Sequence, residues 1–378
     1  MNAITPLDQP EFGRAFTDHM ALIRFVGRQW GETRIVANEP IPFSPAASGL
    51  HYGQAIFEGL KAYRQPDGDV ALFRARDHAE RFRATATRMA MPPLPVRRFV
   101  DACAALVTAD AVAVPDERGH SLYLRPLMIG TTPRLGVQPA SEYLCVIIAS
   151  PVGPYLSDGT RPWTVKVERD QVRAAPGGTG AAKCAGNYGA SLAARRAATS
   201  ADCDEILFLD ATEHRWVEEL SAMNLFVVEA TPPSTRTLVT PPADGTILGG
   251  ITRASLLELA PRLGWAARAA PIAIDEWRRR AETGEITEAF ASGTGAVVAP
   301  IGHVRDGETT WTIGDGSPGP VTARLRAALL DLQEGRAPDP YGWRFPLDVP
   351  TSNRAVAIDV GISSGRTGRR RASRADRG

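Results

Sequence analysis

Of the 43 basic residues in this chain only Lys61, Lys166 and Lys183 are lysines. Arginine is the general cation everywhere else, so a retained lysine points to chemistry that arginine cannot do. Lys183 lies in Pro176-Gly177-Gly178-Thr179-Gly180-Ala181-Ala182-Lys183-Cys184-Ala185-Gly186-Asn187-Tyr188-Gly189, a glycine-rich stretch with no other charge. An amine loses its proton in an apolar, water-poor pocket and then attacks a carbonyl; a guanidinium does not. The segment alone leaves two readings open: a lysine that condenses with an aldehyde cofactor, or a loop lysine among glycines.

Four further segments bear on that choice. Gly249-Gly250-Ile251-Thr252-Arg253 precedes an apolar helix. Free N–H groups and the positive dipole end at such a start receive anions, although an ordinary capped helix reads the same way. Ser292-Gly293-Thr294-Gly295-Ala296, between strand-like runs, offers similar donors. Glu218 and Glu219 lie in Val217-Glu218-Glu219-Leu220. A carboxylate there either holds a heterocyclic nitrogen protonated or belongs to a surface pair. Arg81 follows Asp77 on a helix and faces either a phosphate or solvent. Together the set describes pyridoxal 5′-phosphate: an amine for the aldehyde, an acid for the pyridine nitrogen, and an arginine with helix-start donors for the phosphate.

These residues need elements to hold them. A length of 378 residues suggests two domains, and 44% hydrophobic with 22% charged residues suits a soluble globular enzyme. No apolar run approaches the ~20 residues of a membrane span. The N-terminus lacks the basic and apolar segments of a secretory leader. Four scattered cysteines with no CxxC pair fit a reduced, cytoplasmic setting. Residues 351–378 hold seven arginines and two aspartates, a charge of +5, which leaves the remainder of this +1 chain at −4. A mildly acidic body gives no footprint for nucleic acid; the arginine-rich tail is the one hint. Residues 346–378 are expected to form a disordered tail.

Asp77 is expected to cap a helix running to about Met89. Tyr143–Ala149, Ile206–Leu209 and Leu225–Val228 read as buried strands. Prolines and glycines over 151–159 mark a linker. Val321, Leu325, Ala328, Leu329 and Leu332 form one helical apolar face. Pro261 is expected to kink or end the helix that begins near Thr252.

The chain resembles the branched-chain amino acid aminotransferases of the fold-type-IV, D-amino-acid-aminotransferase-like group. The matching motifs are Leu50-His51-Tyr52-Gly53-Gln54-Ala55-Ile56-Phe57-Glu58-Gly59-Leu60-Lys61-Ala62-Tyr63, Leu122-Tyr123-Leu124-Arg125-Pro126, Gly177 to Lys183, Gly250-Ile251-Thr252-Arg253 and Ser292-Gly293-Thr294. They cover about residues 10–345 in family order, and the spacing resembles the actinobacterial and animal branch more than the enteric one.

The resemblance implies a mixed α/β, two-domain fold with a smaller N-terminal α/β domain over 1–150. A linker over 151–163 and a larger cofactor domain over 164–345 follow. It implies that Lys183 carries the cofactor aldehyde and moves a proton to and from the substrate. Tyr188 would bond the cofactor phenolate and Glu219 the pyridine nitrogen. Arg81, Ile251, Thr252 and Thr294 would hold the phosphate. Gly295 and Ala296 would offer N–H groups to the substrate carboxylate. Phe57, Tyr123, Val152 and Tyr155 would line the side-chain pocket with Arg125 beside it. Tyr52 and Leu135 would arrive from the other subunit of a homodimer. The implied reaction moves amino groups between leucine, isoleucine or valine and 2-oxoglutarate, in branched-chain amino acid biosynthesis.

Departures from the family pattern are Gly249 for a usual proline, Ser221-Ala222 for a glycine-containing pair, Gly295 for a common alanine, and Ala296 and Ala299 where animal enzymes carry a redox CxxC. Rival readings are D-amino acid transamination, aminodeoxychorismate lysis, transamination of an unusual apolar or aromatic amino acid, and a non-enzymatic binding protein acting through the tail.

Overall fold

The uncharged run from Tyr143 forms one of the two strands on which the first sheet is built. Tyr143–Val152 pairs antiparallel with Ser121–Gly130 along its whole length, from Tyr143 opposite Gly130 to Val152 opposite Ser121. The structure, a computed structural model, describes residues 12–154, 161–231 and 235–349. Among the described residues the first sheet has nine strands, and every pairing in it is antiparallel. His19–Val26 lies beyond Tyr143–Val152, while Leu60–Arg64 and Val70–Phe73 lie on the other side. Helices Ala75–Arg88 and Val96–Ala109 cover one face, where Phe82, Phe99 and Leu106 pack on Ile23, Leu72 and Leu124. Each such side chain contributes about 1.5–3 kcal/mol on burial.

The second sheet, among the described residues, also has nine strands and mixes parallel with antiparallel pairs. Six of them close into a ring: Val217–Leu220, Glu205–Leu209, Trp163–Glu168, Val297–Asp306, Ile286–Gly293 and Asn224–Thr231, the last pairing back onto the first at Glu219 and Asn224. That closure sets Asn224 beside Glu219. The core between the two sheets holds Tyr63 and Phe73 of the first with Phe226, Phe290 and Val298 of the second. Phe226 and Phe290 stack with ring centroids 5.1 Å apart.

Helix Pro320–Gln333 buries Val321, Leu325, Leu329 and Leu332, as their spacing predicts, with Ala328 half-buried. Helix Ile251–Leu259 gives way to a 3₁₀ turn, Ala260–Leu263, at Pro261, the expected early end.

Several boundaries differ from expectation. Asp77 is not the cap of its helix: Arg74, in the left-handed region at φ 51°, is the N-cap. Asp77 instead sits in the first turn and accepts a 2.7 Å bond from Arg74 Nε, a favourable place for a carboxylate at a positive helix end. The expected linker begins too early, because fully buried Val152 extends the strand ladder past Pro151. The expected break between residues 345 and 346 falls inside a strand. Arg344–Leu347 returns to the first sheet and pairs antiparallel with Val70–Phe73. The predicted tail from residue 350 onward lies outside the described residues.

Candidate active site

Lys183 is pinned from both directions. Its N–H donates to Thr85 Oγ1 at 3.2 Å and its carbonyl accepts from Phe57 N–H at 3.0 Å. Asn187, in the first turn of helix Ala185–Ser200, donates to the carbonyls of Thr179 and Ala182 at 2.8 Å each. The glycine-rich loop is thereby fixed, and the same helix turn brings Tyr188 against the lysine. Lys183 Nζ donates to Tyr188 Oη at 2.8 Å and lies 4.9 Å from the centre of the Phe57 ring.

The amine opens into a cavity of about 150 Å³. Phe57, Tyr123, Arg125 and Tyr188 form its walls, and the turn Thr294-Gly295-Ala296 closes one side. Arg125 lies 4.9 Å over the Phe57 ring and donates to Tyr123 Oη at 3.0 Å. Gly59 makes room for that phenol: a Cβ there would stand 1.9 Å from Tyr123 Oη.

Glu219 is buried and belongs to no exposed pair. Its carboxylate accepts from Leu248 N–H at 2.8 Å and Asn224 Nδ2 at 3.1 Å, and it forms an ion pair with Arg173 Nη2 at 2.8 Å. Arg173 also donates to the carbonyls of Gly180 and Thr246, tying the acid to the lysine loop. Gly250 leaves room for this brace, since a Cβ there would meet Asn224 Oδ1 at 2.0 Å. Burial pushes the Glu219 carboxyl up to about 7, against the pull of Arg173 and the Leu248 N–H. Glu218, its neighbour, is also buried, and one of its carboxyl oxygens has no hydrogen-bond partner. Burial raises its pKa as well.

Arg81 grips Glu58 with two bonds, 2.7 and 2.8 Å, and donates to the Gly249 carbonyl at 3.1 Å. His78 Nδ1 lies 2.8 Å from the same carboxylate. Burial opposes the charge on Glu58, yet Arg81 and His78 hold it well below the usual carboxylate range. The helix beginning at Ile251 carries no side-chain cap, so its first N–H groups are available to an anion. Ile251, Thr252 and Thr294 share a small second pocket, and Thr294 lines the main cavity too.

A profile of the family Amino-transferase class IV matches residues 55–304. The chain belongs to the class IV aminotransferases. A probable branched-chain-amino-acid aminotransferase of Streptomyces coelicolor is 49% identical over 343 residues, covering 90% of this chain and 93% of its own. The crystal structure of the Escherichia coli branched-chain amino acid aminotransferase superposes with a TM-score of 0.71 at 28% identity, covering 87% of this chain and 98% of that one. The T.th. branched-chain amino acid aminotransferase, complexed with N-(5′-phosphopyridoxyl)-L-glutamate, superposes at 0.70 with 27% identity over 87% of this chain and 98% of that one. The mixed α/β architecture is the fold-type-IV aminotransferase fold.

In this aminotransferase the structure gathers Phe57, Tyr123, Arg125, Lys183, Tyr188, Thr294, Gly295 and Ala296 around one cavity. Val152 does not join them; it is fully buried at the end of its strand. Tyr155 lies outside the described residues. Tyr52 and Leu135 stand at the surface, 39% and 70% exposed, with Tyr52 Oη donating to the Leu135 carbonyl at 2.5 Å. Neither lines the cavity of its own chain. Sequence reading missed Phe12, whose ring centre is 4.8 Å from that of Tyr123 and which lines the cavity. It also gave no role to Glu58, His78 or Arg173. Glu58 stands inside a quoted motif, but nothing in the sequence names Arg81 as its partner.

Proposed function

We propose that this enzyme transfers amino groups between branched-chain L-amino acids and 2-oxoglutarate with pyridoxal 5′-phosphate as cofactor. The observation that carries the proposal is the Lys183 amine, held against Tyr188 in an aromatic-walled cavity beside the buried, braced carboxyl of Glu219. The donor set suits the cofactor: an amine for its aldehyde, a carboxyl for its ring nitrogen, and Arg81, Ile251, Thr252 and Thr294 for its phosphate. When bound, it supplies the electron sink that makes the substrate Cα–H acidic.

The residues supply the rest. Lys183 Nζ takes and returns the proton at the substrate Cα, and Tyr188 Oη holds the amine in line. Glu219 binds a protonated ring nitrogen through its ionised oxygen. Gly295 and Ala296 offer N–H groups to the substrate carboxylate. Phe57 and Tyr123 enclose the apolar side chain, and Arg125, beside both, answers the second carboxylate of glutamate. Walls of this kind favour aliphatic side chains, each methylene altering binding by ~1–3 kcal/mol.

The working unit we propose is a homodimer in which Tyr52 of the partner subunit and Leu135 of the partner subunit complete the cavity. Their exposure in one chain supports this. The two sheets serve as two domains, with Arg344–Leu347 belonging to the first. Four free, buried cysteines support a cytoplasmic setting, and no helix among the described residues is long and apolar enough to cross a membrane.

The test is an absorbance spectrum of the pure protein before and after leucine, isoleucine, valine or D-alanine. Conversion of the cofactor band by the three L-amino acids, and its regeneration by 2-oxoglutarate, is expected. Conversion by D-alanine alone would replace the proposal with the D-amino acid reading.

A further inference from the structure

Lys61 is the first of the three lysines along the chain, and no role above uses it. It lies on strand Leu60–Arg64, opposite Tyr123, with its side chain buried. Its Nζ donates to the Gly295 carbonyl at 3.0 Å, across 234 positions of sequence and from one sheet to the other. Among the described residues it has no carboxylate partner. Burial, together with the charge of Arg326, pushes the amine down to about 7. The chain keeps an amine in a costly, buried place, and all it visibly grips there is one carbonyl.

That carbonyl shares a peptide unit with the Ala296 N–H. The unit is planar and trans, so its C=O and N–H point in opposite directions. Lys61 lines the small pocket on one side of the turn, and Ala296 lines the main cavity on the other. Drawing the oxygen toward Lys61 therefore turns the N–H into the cavity. Donation to the carbonyl also polarises the peptide, making its N–H a stronger donor. No hydrogen bond to another backbone group engages the N–H of Gly295 or Ala296 among the described residues. The following residue, Val297, is held at φ +62°, a region that a β-branched side chain rarely adopts. A strained turn needs its neighbours to hold it.

We propose that Lys61 is a positioning residue that aims and polarises the Ala296 N–H toward the substrate carboxylate. The proposal rests on the reading of Thr294–Ala296 as the carboxylate site. It predicts a carboxylate-specific defect, which a merely structural pin would not give.

The experiment uses Lys61→Met holoenzyme and three ligands. Leucine has carboxylate and amine, 3-methylbutylamine has the amine alone, and 4-methylvalerate has the carboxylate alone. Half-reactions with the first two are followed by cofactor absorbance, and the third is titrated by its spectral effect. Expected are a rise of about tenfold or more in the KM for leucine and the Kd for 4-methylvalerate, the scale of one lost charged hydrogen bond. Reaction of 3-methylbutylamine, kcat for leucine and cofactor content should stay within about threefold. Lys61→Arg, which keeps a cationic donor, is the second variant and should recover most of the discrimination. Equal loss with leucine and 3-methylbutylamine, loss of cofactor alone, or an Arg variant no better than Met overturns the proposal. Wild-type enzyme that does not prefer leucine to 3-methylbutylamine would instead overturn the carboxylate reading of the turn, and the role of Lys61 with it.

Discussion

At the scale of single residues, the proposed mechanism sets two ionisable groups, half-buried Lys183 and buried Glu219, to opposite tasks. In that proposal Lys183 gives up and recovers a proton, whereas Glu219 holds one in place on a ring. Lys183→Ala should cut turnover at least a hundredfold, the scale of a lost general base at about 10²–10⁴. Circular dichroism should be unchanged, and turnover within about tenfold of wild type would sink the assignment. Glu219 makes a separate prediction in the protein without cofactor. Its folded-state pKa, about 7, lies above the ordinary 4.5. Between those values the folded protein keeps a proton that the unfolded chain has lost, so stability from this group falls as pH rises, by roughly 3 kcal/mol in all. Melting curves of wild type and Glu219→Gln from pH 4.5 to 8 should converge or cross over that window and run parallel above 7. A constant difference throughout would show that Arg173 keeps the acid ionised. With cofactor present, Glu219→Gln should lose kcat far more than cofactor affinity, and Glu218→Gln should lose neither.

At the scale of elements, the turn that lines the cavity follows directly on the strand before it. Glu288, on strand Ile286–Gly293, accepts from the N–H groups of Val321 and Thr322 and from Thr322 Oγ1, at 3.0, 2.7 and 2.7 Å. It thus caps helix Pro320–Gln333, which has no cap of its own. Glu288→Ala should cost about 2–3 kcal/mol, since three buried donors lose a charged acceptor. The melting temperature should fall by about 5 °C or more; an unchanged value would show that water replaces the cap. Neither this cap nor the Glu58–Arg81 pair is legible in the sequence, because a carboxylate's partner is set by tertiary folding, not by local spacing. What local chemistry decides was legible. The uncharged run from Tyr143 is a strand, Pro261 ends its helix, and the apolar stripe from Val321 faces the core. Asp77 misled because an aspartate suits the first helical turn as well as the cap. Phe12 was missed because one aromatic near a chain end carries no periodic signal. The lysine loop, the paired glutamates and the helix-start segment were singled out through residue type, but only the fold shows that Lys183 and Thr294–Ala296 line one cavity, that Ile251 and Thr252 line a second, and that Glu219 is buried.

At the scale of the whole molecule, one chain leaves a tyrosine and a leucine facing outward where the proposed chemistry needs them facing a neighbour. Lys183→Ala and Tyr52→Ala chains, each inactive alone, should regain activity when unfolded, mixed and refolded together. One of the hybrid's two sites would then draw every residue from an intact copy. A monomer that sediments alone with full activity would refute the shared site. The strand Arg344–Leu347 has a consequence of another kind, for synthesis. The first sheet is encoded almost wholly by the first 152 residues, yet its edge at Val70–Phe73 stays open until the ribosome has delivered residue 347. An open edge invites pairing with another chain. Molecules ending at Pro340 should therefore aggregate, and protease should cut them near Val70, where full-length chains resist. Equal resistance would mean that the edge strand is dispensable to the nascent protein.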